Sequence, residues 1–238
     1  MEKQIKLFCI PYAGGKAEMF RELAGYLPDR ISVIPLEYAG HGTRAKEAFY
    51  ADFTEMTTDI ASKIEKQLDG NEDFALFGYS MGSLVAYEIV ARKLLKKQPE
   101  HLFLASHEAP GMEWESKGYS EMDDVTFAKA IVAFGGFDRF EERFLENRHF
   151  RRMIFDPIRQ DYRLITSYHW EETEGLSVPG TLFFAPDDVP VEKAKQWRLR
   201  FRAPLELIEI GKNHFFIKDE PEKLAGLIRE RMERIDTK

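Results

Sequence analysis

Cysteine is nearly absent from this sequence, with one, Cys9, among 238 residues. A single cysteine cannot form an internal disulfide, which argues against a disulfide-stabilised secreted domain and fits a reducing compartment such as the cytoplasm. Cys9 lies within the mostly apolar run 5–10, where burial is commoner for a free cysteine than nucleophilic chemistry. We therefore expect Cys9 to be a buried, unreactive side chain.

Long apolar runs and basic tracts are missing as well. Glu2 and Lys3 place charge among the first residues, unlike the apolar stretch of a signal peptide, and no run of about 18 apolar residues is available to cross a membrane. The formal net charge is −7, and no basic tract offsets it. Because nucleic-acid binding needs clustered positive charge, we expect neither a membrane nor a nucleic acid as the partner.

What the sequence does contain is an alternation of short, β-prone apolar runs with longer helix-prone stretches. Such alternation is typical of a largely parallel sheet covered by helices on both faces. Since 238 residues suit one domain of this class, we predict a single α/β domain over residues 1–238. Strands are predicted at 5–10, 31–36, 74–77, 102–105, 181–184 and 205–210. Helices are predicted at 16–26, 53–67, 81–95, 192–201 and 221–233.

The alternation is interrupted once, between residues 107 and 176. This stretch has helical patterns and no convincing strand, and so long a connection in a compact domain usually has a purpose, such as a lid over an active site. Two helix-like pieces, 124–134 and 140–152, are separated by Gly135-Gly136, which offers a flexible joint. We predict a helical lid insertion at 107–176, with packing helices that do not move as the alternative.

The sharpest motif is the pentapeptide Gly78-Tyr79-Ser80-Met81-Gly82, a G-x-S-x-G pattern. It follows the strand predicted at 74–77 and opens a predicted helix, which is the context of the nucleophile elbow of α/β-hydrolases. A tight strand-to-helix turn leaves no room for side chains beside the serine, hence the glycines, and it lifts the hydroxyl above the sheet. The motif therefore predicts an α/β-hydrolase fold with Ser80 as catalytic nucleophile.

A serine nucleophile needs a general base, and the chain order Ser…Asp…His of this fold places that base after the last strand. Of the six histidines, His214 has this position, in a loop before the final predicted helix. His41 and His107 follow strands and are able to line the same cleft, but neither has a complete set of partners. We predict His214 as the base.

The acid that orients the histidine should follow the penultimate strand, where the loop contains two adjacent carboxylates. Asp188 is preferred over Asp187, because the acid usually comes fourth in a G-x-x-D turn and Ala185 stands at the glycine position. Asp161, within the insertion, is an outside candidate for reaching His214.

The oxyanion hole needs two backbone N–H groups directed at the developing negative charge. One is expected from Met81, directly after the nucleophile, and the other from the loop that follows the first strand, with Ala13 as the best candidate. Gly14-Gly15 in that loop is also open to interpretation as a phosphate-binding turn. It lacks both the G-x-G-x-x-G spacing and a following Gly-Lys-Ser/Thr, which disfavours that alternative.

At these motifs the chain resembles the stand-alone type II thioesterases of nonribosomal peptide and polyketide synthesis. The chain departs from the usual family pattern at Ala39, Tyr79 and Ser83, none of which is a reacting group. The resemblance extends over nearly the whole chain and is carried by Phe8-Cys9-Ile10-Pro11-Tyr12-Ala13-Gly14-Gly15, Gly40-His41-Gly42 with Arg44, Gly78-Tyr79-Ser80-Met81-Gly82, Pro157-Ile158-Arg159-Gln160-Asp161-Tyr162, Trp197 and His214-Phe215-Phe216.

The resemblance implies hydrolysis of acyl groups from the phosphopantetheine arms of carrier-protein domains, clearing misprimed or stalled synthases. It implies no cofactor and no metal, a carrier-protein partner, and, as an open choice, release of finished product instead of editing. We expect a monomer. Two other functions stay open: a small-ester carboxylesterase or lipase with the same triad, and a catalytically silent binding protein of this fold.

Overall fold

Six parallel strands form the central sheet of the computed structural model, which describes residues 4–70, 72–112, 118–119, 121–135 and 141–235. Their spatial order is β2-β1-β3-β4-β5-β6, and every neighbouring pair is parallel. The α/β-hydrolase type of fold predicted from the sequence is confirmed. The strands are β1 Ile5–Ile10, β2 Ile31–Pro35, β3 Phe74–Tyr79, β4 His101–Ala105, β5 Gly180–Phe184 and β6 Leu205–Glu209.

Helices cover both faces of the sheet because successive residues of each strand point to opposite sides. Phe74 and Leu76 pack into one buried cluster, whereas Ala75 and Phe77 pack into the other. The helices on the first face include α2 Phe53–Glu65, α3 Met81–Ala91 and α7 Val191–Gln196; those on the second are α1 Arg21–Gly25, α8 Phe216–Asp219 and α9 Pro221–Ile235.

Strand β3 lies at the point where the strand order reverses, between β1 and β4. It is two residues longer than predicted, because Gly78 and Tyr79 continue to pair with Leu104 and Ala105 of β4. In open α/β sheets, ligands bind beyond the carboxyl ends of the strands at such a reversal. The topology therefore directs the chain after Tyr79 into the expected site crevice.

Two predicted helices are divided into a tight 3-10 turn and a short α-helix. The stretch 16–26 forms the 3-10 turn Ala17–Phe20 followed by α1, and this turn buries Phe20 completely. The stretch 192–201 forms α7 and then the 3-10 turn Trp197–Arg200. Phe201 cannot be helical, because it is extended and forms an isolated bridge with Leu176.

The insertion (residues 107–176) is helical wherever it has regular structure in the described residues, with α4 at Asp124–Ala133 and α6 at Asp156–Ser167. It has its own apolar cluster, which includes Phe127, Ile131 and Phe155. Gly135 adopts a φ of 90°, and Gly136 lies outside the described residues. The lid movement proposed for this insertion stays a prediction.

The prediction of one helix over 140–152 is wrong. The part that the structure describes contains a 3-10 turn, Glu142–Glu146, then the short α5, Arg148–Phe150, and the π-helical turn Arg151–Phe155 that leads into α6. Asn147 is extended, and its side chain accepts hydrogen bonds from the N–H groups of His149 and Phe150. An N-cap of this kind starts a new helix instead of continuing the old one.

The structure also shows the surroundings of Cys9, which the sequence predicts to be buried. Cys9 is completely buried in the second face's cluster, and burial raises the pKa of its thiol far above the usual value. A thiol in that environment stays protonated at neutral pH and is a poor nucleophile.

Across the described parts of the chain, no helix combines the length and the apolar character needed to span a membrane.

Candidate active site

Ser80 occupies the turn between β3 and α3 in a backbone conformation that few non-glycine residues adopt, with φ 54° and ψ −118°. Its N–H donates to the carbonyl of Ala105 over 2.7 Å. A Cβ at Gly78 would lie 2.2 Å from the Gly82 carbonyl oxygen, and a Cβ at Gly82 would lie 2.2 Å from that of Ile10. The turn therefore requires both glycines, and it holds Ser80 in a strained geometry typical of functional sites.

His214 and Asp188 form a hydrogen-bonded pair beside Ser80. The Nδ1 of His214 is 2.9 Å from both carboxylate oxygens of Asp188. The two side chains are 10% and 12% exposed, so the pair is largely shielded from water. Because Nδ1 is engaged, Nε2 is the ring nitrogen left for proton transfer, and all three side chains line one cavity.

The other two candidates for the acid that orients His214, Asp187 and Asp161, have different surroundings. Asp187 is exposed on the same loop. Asp161 is buried in α6, where its Oδ2 accepts a hydrogen bond from the Gly14 N–H at 2.7 Å and is 3.0 Å from Nε2 of His41. Geometry thus places Asp188 against His214, and it gives Asp161 different partners.

The two predicted oxyanion donors are the N–H groups of Met81, directly after Ser80, and of Ala13, much earlier in the sequence. Met81 is the first residue of α3, and the first N–H groups of a helix have no acceptor within it. Ala13 lies on the loop after β1, and both it and Ser80 line the two cavities described below. Within the described residues, the hydrogen-bond network contains no acceptor for the Ala13 N–H.

Among the described residues, three hydrogen bonds hold the oxyanion loop (residues 11–15). The Tyr38 hydroxyl donates to the Pro11 carbonyl at 2.9 Å, and the Gly15 N–H donates to the Tyr12 carbonyl at 2.8 Å. The third is the bond from Gly14 to Asp161 described above. Because a trans peptide directs its C=O and N–H to opposite sides, the bond to the Tyr12 carbonyl also sets the direction of the Ala13 N–H.

Two cavities meet at Ser80. The first, of about 200 Å³, has a polar end where Lys193 Nζ lies 2.7 Å from Oε1 of Glu108. The second, of about 340 Å³, is bordered by apolar residues of the insertion, including Ile131 and Ile158. Residues common to both are Ala13, Ser80, Phe134, Tyr162 and His214. A substrate with two arms extending from one reacting carbonyl suits this arrangement.

Two residues that depart from the family pattern support the site. The Tyr79 hydroxyl donates to the His214 carbonyl at 2.7 Å and accepts from the Ile217 N–H at 3.3 Å. Ser83 Oγ lies 2.8 Å from the Gly78 carbonyl oxygen and 2.9 Å from that of Ala105, so its single hydroxyl proton has two acceptors within reach. Burial raises the pKa of the Tyr79 hydroxyl well above its usual value, so it stays a neutral donor. No sequence signal identified these supporting bonds.

The remaining histidines near the site differ in charge. Burial lowers the pKa of His107, whose Nδ1 faces the Glu108 carbonyl at 2.8 Å, so this imidazole is neutral at neutral pH. Burial alone would also lower the pKa of His41, but the charge and hydrogen bond of Asp161 outweigh it and the pKa is raised. Among the described residues, no group of three or more His, Cys, Asp or Glu side chains is placed to hold a metal ion.

Comparison with known proteins identifies the family of this chain and finds a solved structure of similar fold. The family model for the thioesterase domain matches residues 5–232. Linear gramicidin dehydrogenase LgrE of Brevibacillus parabrevis is 29% identical over 239 residues, covering 98% of this chain and 89% of that protein. Thioesterase PikA5 of Streptomyces venezuelae is 25% identical over 233 residues, covering 96% and 81%. The crystal structure of ClbQ from the colibactin NRPS/PKS pathway superimposes with a TM-score of 0.89 at 27% identity, covering 99% of each chain.

Proposed function

We infer that this chain, which belongs to the thioesterase domain family, is a type II serine thioesterase of nonribosomal peptide or polyketide synthesis. The family resemblance drawn from the sequence motifs is confirmed by the match over residues 5–232. The observation that carries the proposed function is the placement, within that span, of Ser80 on a nucleophile elbow in one cavity with the His214–Asp188 pair.

The proposed mechanism begins when Ser80 Oγ attacks the thioester carbonyl carbon and His214 Nε2 takes the hydroxyl proton. The oxyanion that forms accepts hydrogen bonds from the N–H groups of Met81 and Ala13. The C–S bond then breaks, and His214 returns the proton to the leaving sulfur. Water, deprotonated by the same histidine, attacks the acyl-enzyme, which releases the acid and restores Ser80. Asp188 keeps the proton of His214 on Nδ1 throughout.

The proposed substrate is an acyl group on the phosphopantetheine arm of a carrier-protein domain. Two cavities that meet at Ser80 provide separate room for an acyl chain and for a long, flexible leaving group. ClbQ comes from an NRPS/PKS pathway, and PikA5 is a thioesterase. We assign this chain the corresponding task of clearing misprimed or stalled acyl groups from a synthase.

The name of one relative, linear gramicidin dehydrogenase LgrE, indicates a different reaction. A nicotinamide-dependent dehydrogenase of doubly wound fold places a G-x-G-x-x-G turn after its first strand to bind the pyrophosphate. Here β1 is followed by Pro11-Tyr12-Ala13-Gly14-Gly15, which lacks that spacing and contributes Ala13 to the cavity of Ser80. This loop supports acyl transfer and not hydride transfer.

The proposed docking surface for the carrier protein lies on the insertion. Arg148 and Arg152 are exposed and make no ion pair within the described residues. Arg143 is paired with Glu141 at 2.6 Å, and Arg151 with Asp124 at 2.9 Å, so these two offer less charge; Arg139 lies outside the described residues. An acidic carrier protein would meet uncompensated positive charge at Arg148 and Arg152, next to the helix that borders the second cavity.

A panel of acyl groups, each presented on a carrier protein, on coenzyme A and as a small alkyl ester, tests this function. The carrier-bound thioester should give the highest kcat/KM, and the alkyl ester the lowest. A preference for the alkyl ester would instead favour the carboxylesterase alternative, and no turnover of any substrate would favour the silent binding protein. Following the released acid and any condensed product by mass spectrometry separates editing from product release.

A further inference from the structure

The insertion and the oxyanion loop are joined by one buried carboxylate. Asp161 projects from α6, is 1% exposed at its side chain, and accepts the Gly14 N–H at 2.7 Å. Of the three bonds that hold the oxyanion loop, this is the one whose acceptor belongs to the insertion; the other two lie within residues 11–38. The position of the Ala13–Gly14 peptide therefore depends on where α6 lies.

His41 completes this buried arrangement as a charged partner. Its Nδ1 is 3.0 Å from the Ala39 carbonyl, and its Nε2 is 3.0 Å from Asp161 Oδ2. Both partners are acceptors, so both ring nitrogens must donate, which makes His41 an imidazolium. The pair of Asp161 and His41 is then neutral overall. A lone carboxylate one residue from the oxyanion donor would repel the negative charge that forms in the transition state. The positive charge of the imidazolium neutralises the carboxylate and cancels this repulsion.

Packing brings α6 into direct contact with the same loop. Gly14 has a φ of 74°, and a Cβ at this position would lie 2.0 Å from Cγ1 of Ile158. The residue after Asp161, Tyr162, lines both cavities at Ser80. One turn of α6 thus contacts the oxyanion loop, the buried imidazolium and the substrate space.

We propose that Asp161, paired with His41, is a positioning residue that fixes the oxyanion loop from α6, so that the Ala13 N–H is aimed at the reacting carbonyl. This inference rests on the proposed function of Ser80. Asp161 does not touch substrate; it acts through Gly14 and the peptide next to it. The loop reaches its productive geometry only when α6 is seated against it, so the insertion contributes to the chemical step as well as to the cavity walls.

Asp161→Asn tests the proposal, since it keeps the shape and removes the charge of the acceptor. Loss of one oxyanion donor costs about 100- to 1,000-fold in kcat, so a misaligned donor should cost roughly 10- to 100-fold on a small acyl thioester, with KM changed less than about twofold. Asp156→Asn, on the same helix and paired with Arg151 at 3.4 Å, is the matched control and should keep the parent kcat. His41→Gln retains an N–H donor without the charge and should cost less than Asp161→Asn.

A pair of inhibitors provides the readout that a merely structural role would not change. A trifluoromethyl ketone analogue forms a tetrahedral adduct with an oxyanion, whereas an unreactive thioether analogue resembles the substrate ground state. In Asp161→Asn the affinity for the ketone should fall by the same factor as kcat/KM, and the affinity for the thioether should stay unchanged. Equal losses for both analogues, or no loss of kcat, would overturn the proposal.

Two further measurements separate the possible failures. If Asp161→Asn does not fold, His41→Gln carries the test through the same ketone and thioether comparison. The losses of the two variants should also be non-additive in the double variant, because the residues act through one contact. Ser80→Ala, assayed beside them, tests the proposed function itself: an inactive Ser80→Ala with an unaffected Asp161→Asn contradicts only the positioning role.

Discussion

At the scale of single residues, both oxygens of Asp188 lie 2.9 Å from Nδ1 of His214, the proposed base, while the neighbouring Asp187 is exposed. Asp188→Asn should lower kcat by about 1,000- to 10,000-fold, because an amide neither holds the required tautomer nor stabilises the imidazolium. Asp187→Asn, one residue away, is the control and should change kcat less than about threefold. Steady-state kinetics on an acyl thioester decide the assignment, and a larger loss in Asp187→Asn would transfer the role to that residue.

The buried imidazolium of His41 predicts a pH dependence of stability. Burial favours the neutral ring, but Asp161, the Ala39 carbonyl and the charge of Glu37 together raise the folded pKa above its usual value. A raised folded pKa stabilises the protein fully below the unfolded pKa of about 6.5, and this stabilisation is lost as the pH rises through the folded pKa.

His41→Gln removes that titration and serves as the reference protein. The difference in unfolding free energy between parent and His41→Gln should be largest below about pH 6.5 and should shrink as the pH rises through the folded pKa. Urea denaturation at a series of pH values measures it. A difference that grows with pH would show that His41 is buried as a neutral ring.

Several residues of the candidate site could be proposed from the sequence, because a local motif or the chain order indicates them. Ser80 and its glycines belong to a turn with its own steric requirement, and His214 follows the last strand. The sequence offers Asp161 only as a possible partner of His214, whereas the structure places it against His41. The two residues are 120 positions apart in the sequence, and no local sequence pattern predicts a contact between such distant positions.

At the scale of elements, the absence of predicted strands over 107–176 indicates a helical insertion, but the sequence pattern does not show how the helices within this stretch are divided. The extended backbone at Asn147 splits the stretch predicted as one helix, and a π-helical turn then joins α5 to α6. The helical pattern over 140–152 predicts one continuous helix, because such a pattern does not show where a capping side chain begins a new helix. Asparagine was the available signal, since it favours N-caps.

The exposed arginines of the insertion predict how carrier-bound substrate is recognised. The double variant Arg148→Glu/Arg152→Glu should lower kcat/KM on an acyl-carrier protein by about tenfold or more while sparing a small acyl thioester. Added salt should reduce the parent's preference for the carrier, because exposed charges are screened over about 10 Å at 0.1 M ionic strength. Kinetics on both substrates at two salt concentrations measure this.

A matched charge change elsewhere controls for net charge. Lys223→Glu/Arg229→Glu alters α9, outside the insertion, by the same four charge units as the arginine pair. It should leave the preference for carrier protein intact. Equal losses in the two double variants would mean that overall charge, and not the insertion, sets the preference.

At the scale of the whole molecule, alternating apolar and helix-prone runs were sufficient to predict the parallel sheet and its two helical layers. The four central strands are almost wholly buried, so their apolar composition indicates them directly; β3 and β5, buried along their whole lengths, are the strongest cases. The edge strands β2 and β6 are less buried. The strand order cannot be predicted in this way, because pairing between distant strands leaves no local sequence pattern. That order places Ser80 where β1, β3 and β4 end together.

The proposed function requires that carrier-bound thioesters acylate Ser80 and that water then releases the acid. The most direct measurement follows an acyl-loaded carrier protein by intact-mass spectrometry with parent and Ser80→Ala enzymes at equal concentration. The parent should strip the acyl group, leaving the free phosphopantetheine thiol, and a serine-directed phosphonate should label Ser80 and block the reaction. Ser80→Ala should fold, take no label and leave the carrier loaded. Deacylation by Ser80→Ala at near the parent rate would show that Ser80 is not the nucleophile.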